Sequence, residues 1–385
     1  MTIDLFIKTE EQRNWLNKLA EGQEQIERTA QRNDEEARFP IENIELLKSI
    51  GYTKATLPKE YGGDGFNIYD ALLLQETTSK FDGSTGLITA WTLMNVGELF
   101  ENRYWKEETL HQFGEAVKDG AIINKAVSEY AMGSPMRGGR PGTIAKRQGD
   151  KWILNGRKNY TTGSHSLDYF LTLVWVEDDA DTAFFVIPKT VKGVSIEETW
   201  HVVSMRSTGS HDLVLENVEL EADSLVEIPS YTTGFKLNSW LLLIPGTYLG
   251  IAQAARDYAV HFANTHSPNS IQGTIAQLPN VQTLIGEIEL SLLNARFALY
   301  GAAEACLDPN RQKLANNAIN AAKHIVTNEA VAIVDKAMRV VGAKSLQRGN
   351  PLQRYYRDVR AGLHNPPMDD ITIKSLASAA LQLDK

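Results

Sequence analysis

The chain has 385 residues, 43% of them hydrophobic, so it can bury a large core and is long enough for more than one domain. Its formal net charge of −9 argues against nucleic acid or an anionic membrane as a partner, because both bind clustered Lys and Arg. The single cysteine, Cys306, excludes an internal disulfide and a cysteine-rich zinc site. It is typical of a reducing compartment, and the first residues lack a signal-peptide pattern, so we expect a cytoplasmic protein.

Residues 1–118 predict an α-helical domain. One apolar pattern with helical spacing ends at Gly51, and another runs from Tyr69 to Phe81. A glycine-rich loop at 62–65 lies between them.

Residues 119–228 predict a central β-domain. Short β-rich runs alternate with turn residues, which is typical of a small β-barrel or sandwich and not of a βαβ sheet. The runs lie at 143–147, 151–154, 169–176, 183–187, 194–197 and 211–215.

Residues 229–385 predict a C-terminal four-helix bundle, which makes the whole chain an α+β multi-domain protein. The stretch 237–255 approaches the length of a membrane span, but polar residues and Pro245 interrupt it, so we interpret it as a buried helix. Gly342 is expected to end a long helix, and a last helix is expected to start at Asp369 or Asp370, whose carboxylates suit a helix N-terminus.

Several common motifs are missing from the sequence. It contains no GxGxxG after a strand, no phosphate-binding GxxxxGK[ST], no HExxH and no GxSxG. The eight histidines are scattered, and none has metal-ligand spacing to a carboxylate, so we expect no metal site.

Five stretches, in order along nearly the whole chain, resemble signatures of the acyl-CoA dehydrogenase superfamily. They are LPKEYGG at 57–63, VSEYAMGS at 127–134, NGRKNYTTG at 155–163, MRSTGSHDLVLENV at 205–218 and YRDVR at 356–360. The resemblance implies the acyl-CoA dehydrogenase fold and a flavin, normally FAD, between the β-domain and the bundle.

By the same resemblance, Ser128 and Thr162 would hydrogen-bond the edge of the flavin ring. Tyr160, where the family usually has Trp, would pack along the ring, and Ser134 would lie near the pyrophosphate or the substrate. Flavin rings need such polar edges and an aromatic cover. The alternative for these residues is a polar turn with a core aromatic.

The family places the adenosine half of FAD against a neighbouring subunit of a homotetramer, a dimer of dimers. Here that position corresponds to the stretch from Arg339 to Gly342, which keeps one of two family glycines. Arg206 would have a structural role in the family, and the alternative is a surface arginine satisfied by Glu216 or water.

The sequence departs from the family at the catalytic base. A dehydrogenase needs a carboxylate to remove the substrate's α-proton, and such a base contributes about 10²–10⁴-fold. The usual position, eight residues after Asp358, holds Pro366. The other family position falls near Trp240 or Asn238, and neither is acidic.

The replaced loop, LHNPPM at 363–368, resembles reduced-flavin monooxygenases of the dibenzothiophene type within the same superfamily. Such enzymes take reduced FMN or FADH2 from a reductase and form a C4a-hydroperoxide, and His364 could donate a hydrogen bond there. The alternative for His364 is a helix C-terminal residue that caps carbonyls. If dehydrogenation occurs, Asp369 or Asp370 is the nearest alternative base, although a helix N-terminus makes both poorer bases.

Three hypotheses follow. The first is an FAD-dependent enzyme that removes the α- and β-hydrogens of an acyl-CoA or similar acyl substrate, passes hydride to flavin N5 and reduces an electron-acceptor flavoprotein. The second is a two-component monooxygenase supplied by a flavin reductase. The third is a flavin- or acyl-binding protein that has lost catalysis. The substrate would be a small acyl or hydrophobic molecule, with Trp91, Met94 and Trp240 as candidate contacts, and each is as easily core.

Overall fold

Helices, strands and helices follow one another along the chain, as the sequence predicts. The computed structural model describes residues 3–132, 139–228 and 238–382. The helical pattern that ends near Gly51 corresponds to α3, and the pattern from Tyr69 to Phe81 corresponds to α4. The N-terminal helices are α1 (Glu10–Glu21), α2 (Gln23–Glu36), α3 (Ile41–Ser49), α4 (Ile68–Phe81), α5 (Gly83–Asn102) and α6 (Glu107–Lys118).

Helix α5 is buried along most of its length and contacts both other regions. Its N-cap is Asp82, whose carboxylate accepts hydrogen bonds from the backbone N–H and the hydroxyl of Thr85. Near its other end, a Cβ at Gly97 would lie 2.5 Å from the ring of Trp240. The absence of a side chain at Gly97 therefore lets the bundle pack closely against α5.

The middle region folds into one mixed sheet in the order β6-β7-β3-β2-β4-β5-β8, with β1 beside β4. Most neighbours are antiparallel, but β1 and β2 both run parallel to β4. Trp152, Phe170 and Phe185 lie in its apolar core. The strands are β1 (Ile123–Ala126), β2 (Ile144–Gln148), β3 (Lys151–Thr161), β4 (Tyr169–Val176), β5 (Asp181–Pro188), β6 (Val194–Glu197), β7 (His211–Glu221) and β8 (Leu225–Glu227).

The C-terminal region is helical. The apolar stretch near its start is part of the core, because Leu242, Leu243 and Ile244 are fully buried. Within the described residues, no helix is long and apolar enough to cross a membrane. Gly342, at φ 71°, ends α9 as predicted, and the last helix starts at Asp369. The helices are α7 (Leu243–Thr265), α8 (Pro279–Leu307), α9 (Gln312–Val341), α10 (Pro351–Asp358) and α11 (Asp369–Leu381).

Candidate functional site

A cavity of about 1160 Å³ lies where the three regions meet, and it brings together residues that the sequence analysis selected from distant motifs. Helix α5 forms one wall, the β-domain a second, and the segment after α10 a third. The selected residues on its wall are Trp91, Met94, Ser128, Tyr160, Thr162 and His364.

The β-domain wall combines hydroxyl groups with aromatic rings. The Thr162 hydroxyl lies 2.9 Å from that of Ser210, and the Asn159 backbone N–H donates to the Ser128 carbonyl at 2.9 Å. Tyr160 has a φ of 56° at a register shift between β3 and β7, is 58% exposed, and meets the Trp200 ring edge to face at 6.0 Å.

These residues suit a flavin ring, which needs hydrogen-bonding partners at its edge and a flat apolar cover. Ser128 and Thr162 carry the polar groups, while Tyr160 and Trp200 carry the rings. Asn159 is a residue of this wall, and its buried Oδ1 has no hydrogen-bond partner among the described residues. An unpaired buried acceptor is unfavourable, so it favours a bound group with a donor at this point.

A buried ion pair underlies this wall, and the sequence analysis did not identify it. Lys158 Nζ lies 2.5 Å from Glu129 Oε1, and the carboxylate also accepts from the hydroxyl and backbone N–H of Thr143 and the backbone N–H of Gly142. Burial lowers the pKa of Lys158 to about 8 despite Glu129. Burial alone would raise the pKa of Glu129, but Lys158 and the hydrogen bonds lower it, so both groups are charged at neutral pH. The sequence did carry a signal for this pair, because Glu129 and Lys158 have opposite charges and lie in two separate motifs.

The third wall carries His364, Asn365 and Pro366 in succession. His364 is exposed and follows a short 3-10 helix, with its backbone N–H donating to the Ala361 carbonyl at 3.0 Å. The buried Tyr248 hydroxyl donates to Asn365 Oδ1. The family position for the base is therefore on the cavity wall, but Pro366 holds no titratable group.

Two carboxylates, Glu98 and Glu129, lie on the described part of the cavity wall, and both are paired. Glu98 Oε2 is 2.7 Å from Lys125 Nζ, and Glu129 binds Lys158. The internal segments outside the described residues, 133–138 and 229–237, contain no Asp or Glu in the sequence. No unpaired carboxylate thus faces the cavity from the described residues.

Arg357 and Asp358 hold the third wall against the other two regions. Arg357 binds the Asp34 carboxylate and donates to the Val203 carbonyl at 2.7 Å. Asp358 is buried and accepts the Met205 backbone N–H at 2.6 Å, and burial raises its pKa to about 7.

For Arg206, the alternative of a surface arginine that pairs with Glu216 was wrong as to that partner. Its Nε donates to the Asp34 carbonyl at 2.7 Å and a terminal nitrogen donates to the Glu35 carbonyl at 3.3 Å, whereas Glu216 is not its partner. Asp34 and Glu35 end α2, so Arg206 links the β-domain to the C-terminal end of a helix, where carbonyls accept cations readily.

Other selected residues lie away from the described cavity wall. Trp240 is buried and donates to Glu101 at 2.6 Å, while its neighbour Leu241 lines the cavity. Asp369 lies 3.0 Å from His324 Nδ1, and although burial would raise its pKa, the bonds from Asn328 and His324 lower it.

The remaining flavin-site predictions concern Arg339 and Gly342, which the resemblance places against a neighbouring subunit, and Ser134. Arg339 is exposed and pairs with Asp335 at 2.8 Å, and Gly342 ends its helix. Ser134 lies outside the described residues.

The fold and site define a flavoprotein-type oxidoreductase scaffold, and family models agree along the chain. Residues 9–102 match the acyl-CoA dehydrogenase N-terminal domain, 124–218 its middle domain and 242–365 its C-terminal domain. The chain belongs to the acyl-CoA dehydrogenase superfamily, as the five motifs predict.

Known proteins are similar to this chain in sequence or in structure along nearly its whole length. "Putative acyl-CoA dehydrogenase YdbM" of Bacillus subtilis (strain 168) is 52% identical over 99% of this chain and 100% of its own. Butyryl-CoA dehydrogenase from Megasphaera elsdenii has a similar structure, with TM-score 0.86 and 18% identity over 97% of this chain and 99% of its own. KijD3 in complex with FMN and dTDP-3-amino-2,3,6-trideoxy-4-keto-3-methyl-D-glucose has TM-score 0.85 and 24% identity, covering 98% and 96%.

Proposed function

We propose that this protein is a two-component flavin monooxygenase on the acyl-CoA dehydrogenase scaffold. The observation that carries the proposal is the third cavity wall, where Pro366 occupies the base position and His364 and Asn365 precede it. Abstraction of a weakly acidic α-proton requires a positioned base near the substrate. Glu98 and Glu129 on the described wall are each bound by a lysine, so neither carboxylate is free to approach a substrate.

The residues present could serve oxygenation without a carboxylate. A bound reduced flavin would supply two electrons so that one oxygen atom of O2 enters the substrate and the other leaves as water. Ser128 and Thr162 would bind the ring edge, and Tyr160 and Trp200 would cover the ring. His364 would donate a hydrogen bond or a proton to the reacting oxygen. Trp91, Met94 and Leu241 would keep water from the reacting atoms.

The partners follow from this chemistry. The enzyme would take reduced FMN or FADH2 from a flavin reductase, and the substrate would be a small, partly hydrophobic molecule. Stretch 339–342 would contact the adenosine half of an FAD only in a homo-oligomer, in keeping with the exposure of Arg339 and Gly342.

The test is the affinity for flavin in each redox state. The dissociation constants of oxidised and reduced FMN and FAD are measured anaerobically by quenching of protein fluorescence. We expect a reduced flavin to bind at least about tenfold more tightly than its oxidised form, a difference of about 1.4 kcal/mol. Oxidised FAD that co-purifies and binds as tightly as the reduced form would contradict the proposal.

A second candidate is FAD-dependent α,β-dehydrogenation of an acyl-CoA, with hydride transfer to flavin N5 and an acceptor flavoprotein. The observation that favours it is the 52% identity to a Bacillus subtilis relative that carries the acyl-CoA dehydrogenase name. Dehydrogenation requires a base, and the described cavity wall has no unpaired carboxylate. Asp369, the nearest alternative base, is bound to His324 and Asn328. We therefore rank it second.

A further inference from the structure

Helix α5 presents a wall to the cavity that changes from apolar to polar along the helix. We call its residues the α5 wall: Leu87, Trp91, Met94, Asn95 and Glu98. Steps of three or four positions connect Leu87 and Trp91 to Met94, Asn95 and Glu98, so all five lie on one helical face. Glu98 is bound by Lys125 at 2.7 Å. Asn95 is 3% exposed, and its Oδ1 has no hydrogen-bond partner among the described residues.

A chain of hydrogen bonds fixes which end of the Asn95 amide is unpaired. The Thr162 backbone carbonyl can only accept, so Asn124 gives it Nδ2, at 3.0 Å, and turns its Oδ1 toward Asn95. That Oδ1 can only accept as well, so Asn95 gives it Nδ2, at 3.4 Å. The Oδ1 of Asn95 is therefore left as an acceptor, and the group that satisfies it must be a donor.

The α5 wall also carries an unpaired hydrogen-bond donor, one helical turn from Asn95. Trp91 Nε1 is buried and has no acceptor among the described residues. Asn95 lies four positions further along the same helix face, a rise of about 6 Å. Both side chains line the cavity, but neither of the two atoms has appreciable accessible surface, so each side chain would rotate to meet a polar ligand there. Buried polar groups are nearly always paired, which favours such a ligand.

We infer that the substrate has a compact apolar body with an N–H or O–H group that donates to Asn95 Oδ1, which would make Asn95 a specificity-determining residue. A linear hydrocarbon chain would leave this acceptor unpaired, which disfavours a plain fatty acyl substrate. The inference rests on the proposed function only in taking this cavity as the substrate site of the flavin enzyme.

The experiment uses two probes of the same shape, indole and benzothiophene, of which only indole has an N–H donor. Their affinities are measured by titration calorimetry on the flavin-loaded protein, and the indole-to-benzothiophene affinity ratio is compared between variants. We expect Asn95→Leu to lower this ratio by about five- to tenfold relative to the wild type. Met94→Leu, on the same wall, should change both affinities by the same factor. Asn95→Ala serves if the leucine variant does not fold.

A ratio that stays within about twofold in the Asn95 variants, or no indole binding up to its solubility limit, would overturn the inference and indicate an ordered water at Asn95. Flavin affinities are measured on the same preparations. An unchanged preference for reduced flavin together with an unchanged probe ratio would overturn the inference alone, and the proposed function would stand.

Discussion

The buried pair of Lys158 and Glu129 gives the sharpest stability prediction. Lys158→Met keeps most of the side-chain volume but removes the ammonium group that lies 2.5 Å from Glu129. Breaking one partner of a buried pair costs about 3–5 kcal/mol. The bonds from Thr143 and Gly142 remain and offset part of this cost. We therefore expect a loss of about 2–3 kcal/mol in the free energy of unfolding.

The assay is urea unfolding of the wild type and the variant at neutral pH, followed by tryptophan fluorescence. Lys151→Met is the matched control, because Lys151 lies on the same strand but its ion pairs with Glu219 and Glu221 are exposed, so the midpoint should barely change. The double variant Glu129→Gln with Lys158→Met should recover part of the loss, because no unpaired charge remains buried.

The same substitution should weaken flavin binding. Glu129 lies between Ser128 and Tyr130, and Lys158 immediately precedes Asn159, so the pair holds two cavity-lining segments together.

A Lys158→Met protein that unfolds at the same urea concentration as Lys151→Met would refute the assignment of a stabilising role to this pair. A double variant less stable than the single one would refute the charge argument.

Three further predictions concern Asp358, His364 and Thr162. The pKa of Asp358, raised by burial to about 7, means that the folded protein binds this proton more tightly than the unfolded chain does. Stability from this group is thus present at acid pH and lost as pH rises from about 4 to about 7, by up to about 1.4 kcal/mol per pH unit. Asp358→Asn should flatten that slope in thermal unfolding between about pH 4 and pH 7, and an unaltered slope would exclude Asp358 as its source. His364→Ala should lower substrate oxygenation at least about 10²-fold with flavin affinity nearly constant, and unchanged turnover would remove His364 from the mechanism. Thr162→Val should weaken flavin binding about five- to tenfold in fluorescence titrations, whereas wild-type affinity would place the ring edge elsewhere.

Local patterns predicted the helices well because caps and helical spacing are encoded over a few residues. Asp369 at the start of α11 and Gly342 at the end of α9 are examples. Strand β1 was not predicted, because three of its four residues are buried and no alternation marks it. Its place depends on parallel pairing with β4, more than forty residues later in the chain.

Motif resemblance selected residues from distant parts of the sequence that line the candidate site. Ser128, Tyr160 and Thr162 come from two motifs, and the fold brings all three to one cavity. The partner of Arg206 could not be found from sequence, because the Asp34 carbonyl lies 172 residues away. The sequence also could not show that Leu241, and not its neighbour Trp240, lines the cavity. The rotation of the segment about its own axis decides which of the two side chains faces the cavity.

Among the described residues, the candidate flavin site offers no unpaired carboxylate that could act as the base of a dehydrogenase. The most direct measurement loads the protein with oxidised FAD or FMN, adds butyryl-CoA and 3-phenylpropionyl-CoA anaerobically, and follows the visible flavin absorbance. We predict that neither acyl-CoA bleaches the flavin. Rapid bleaching, with the matching enoyl-CoA as product, would contradict the account and establish α,β-dehydrogenation at this cavity.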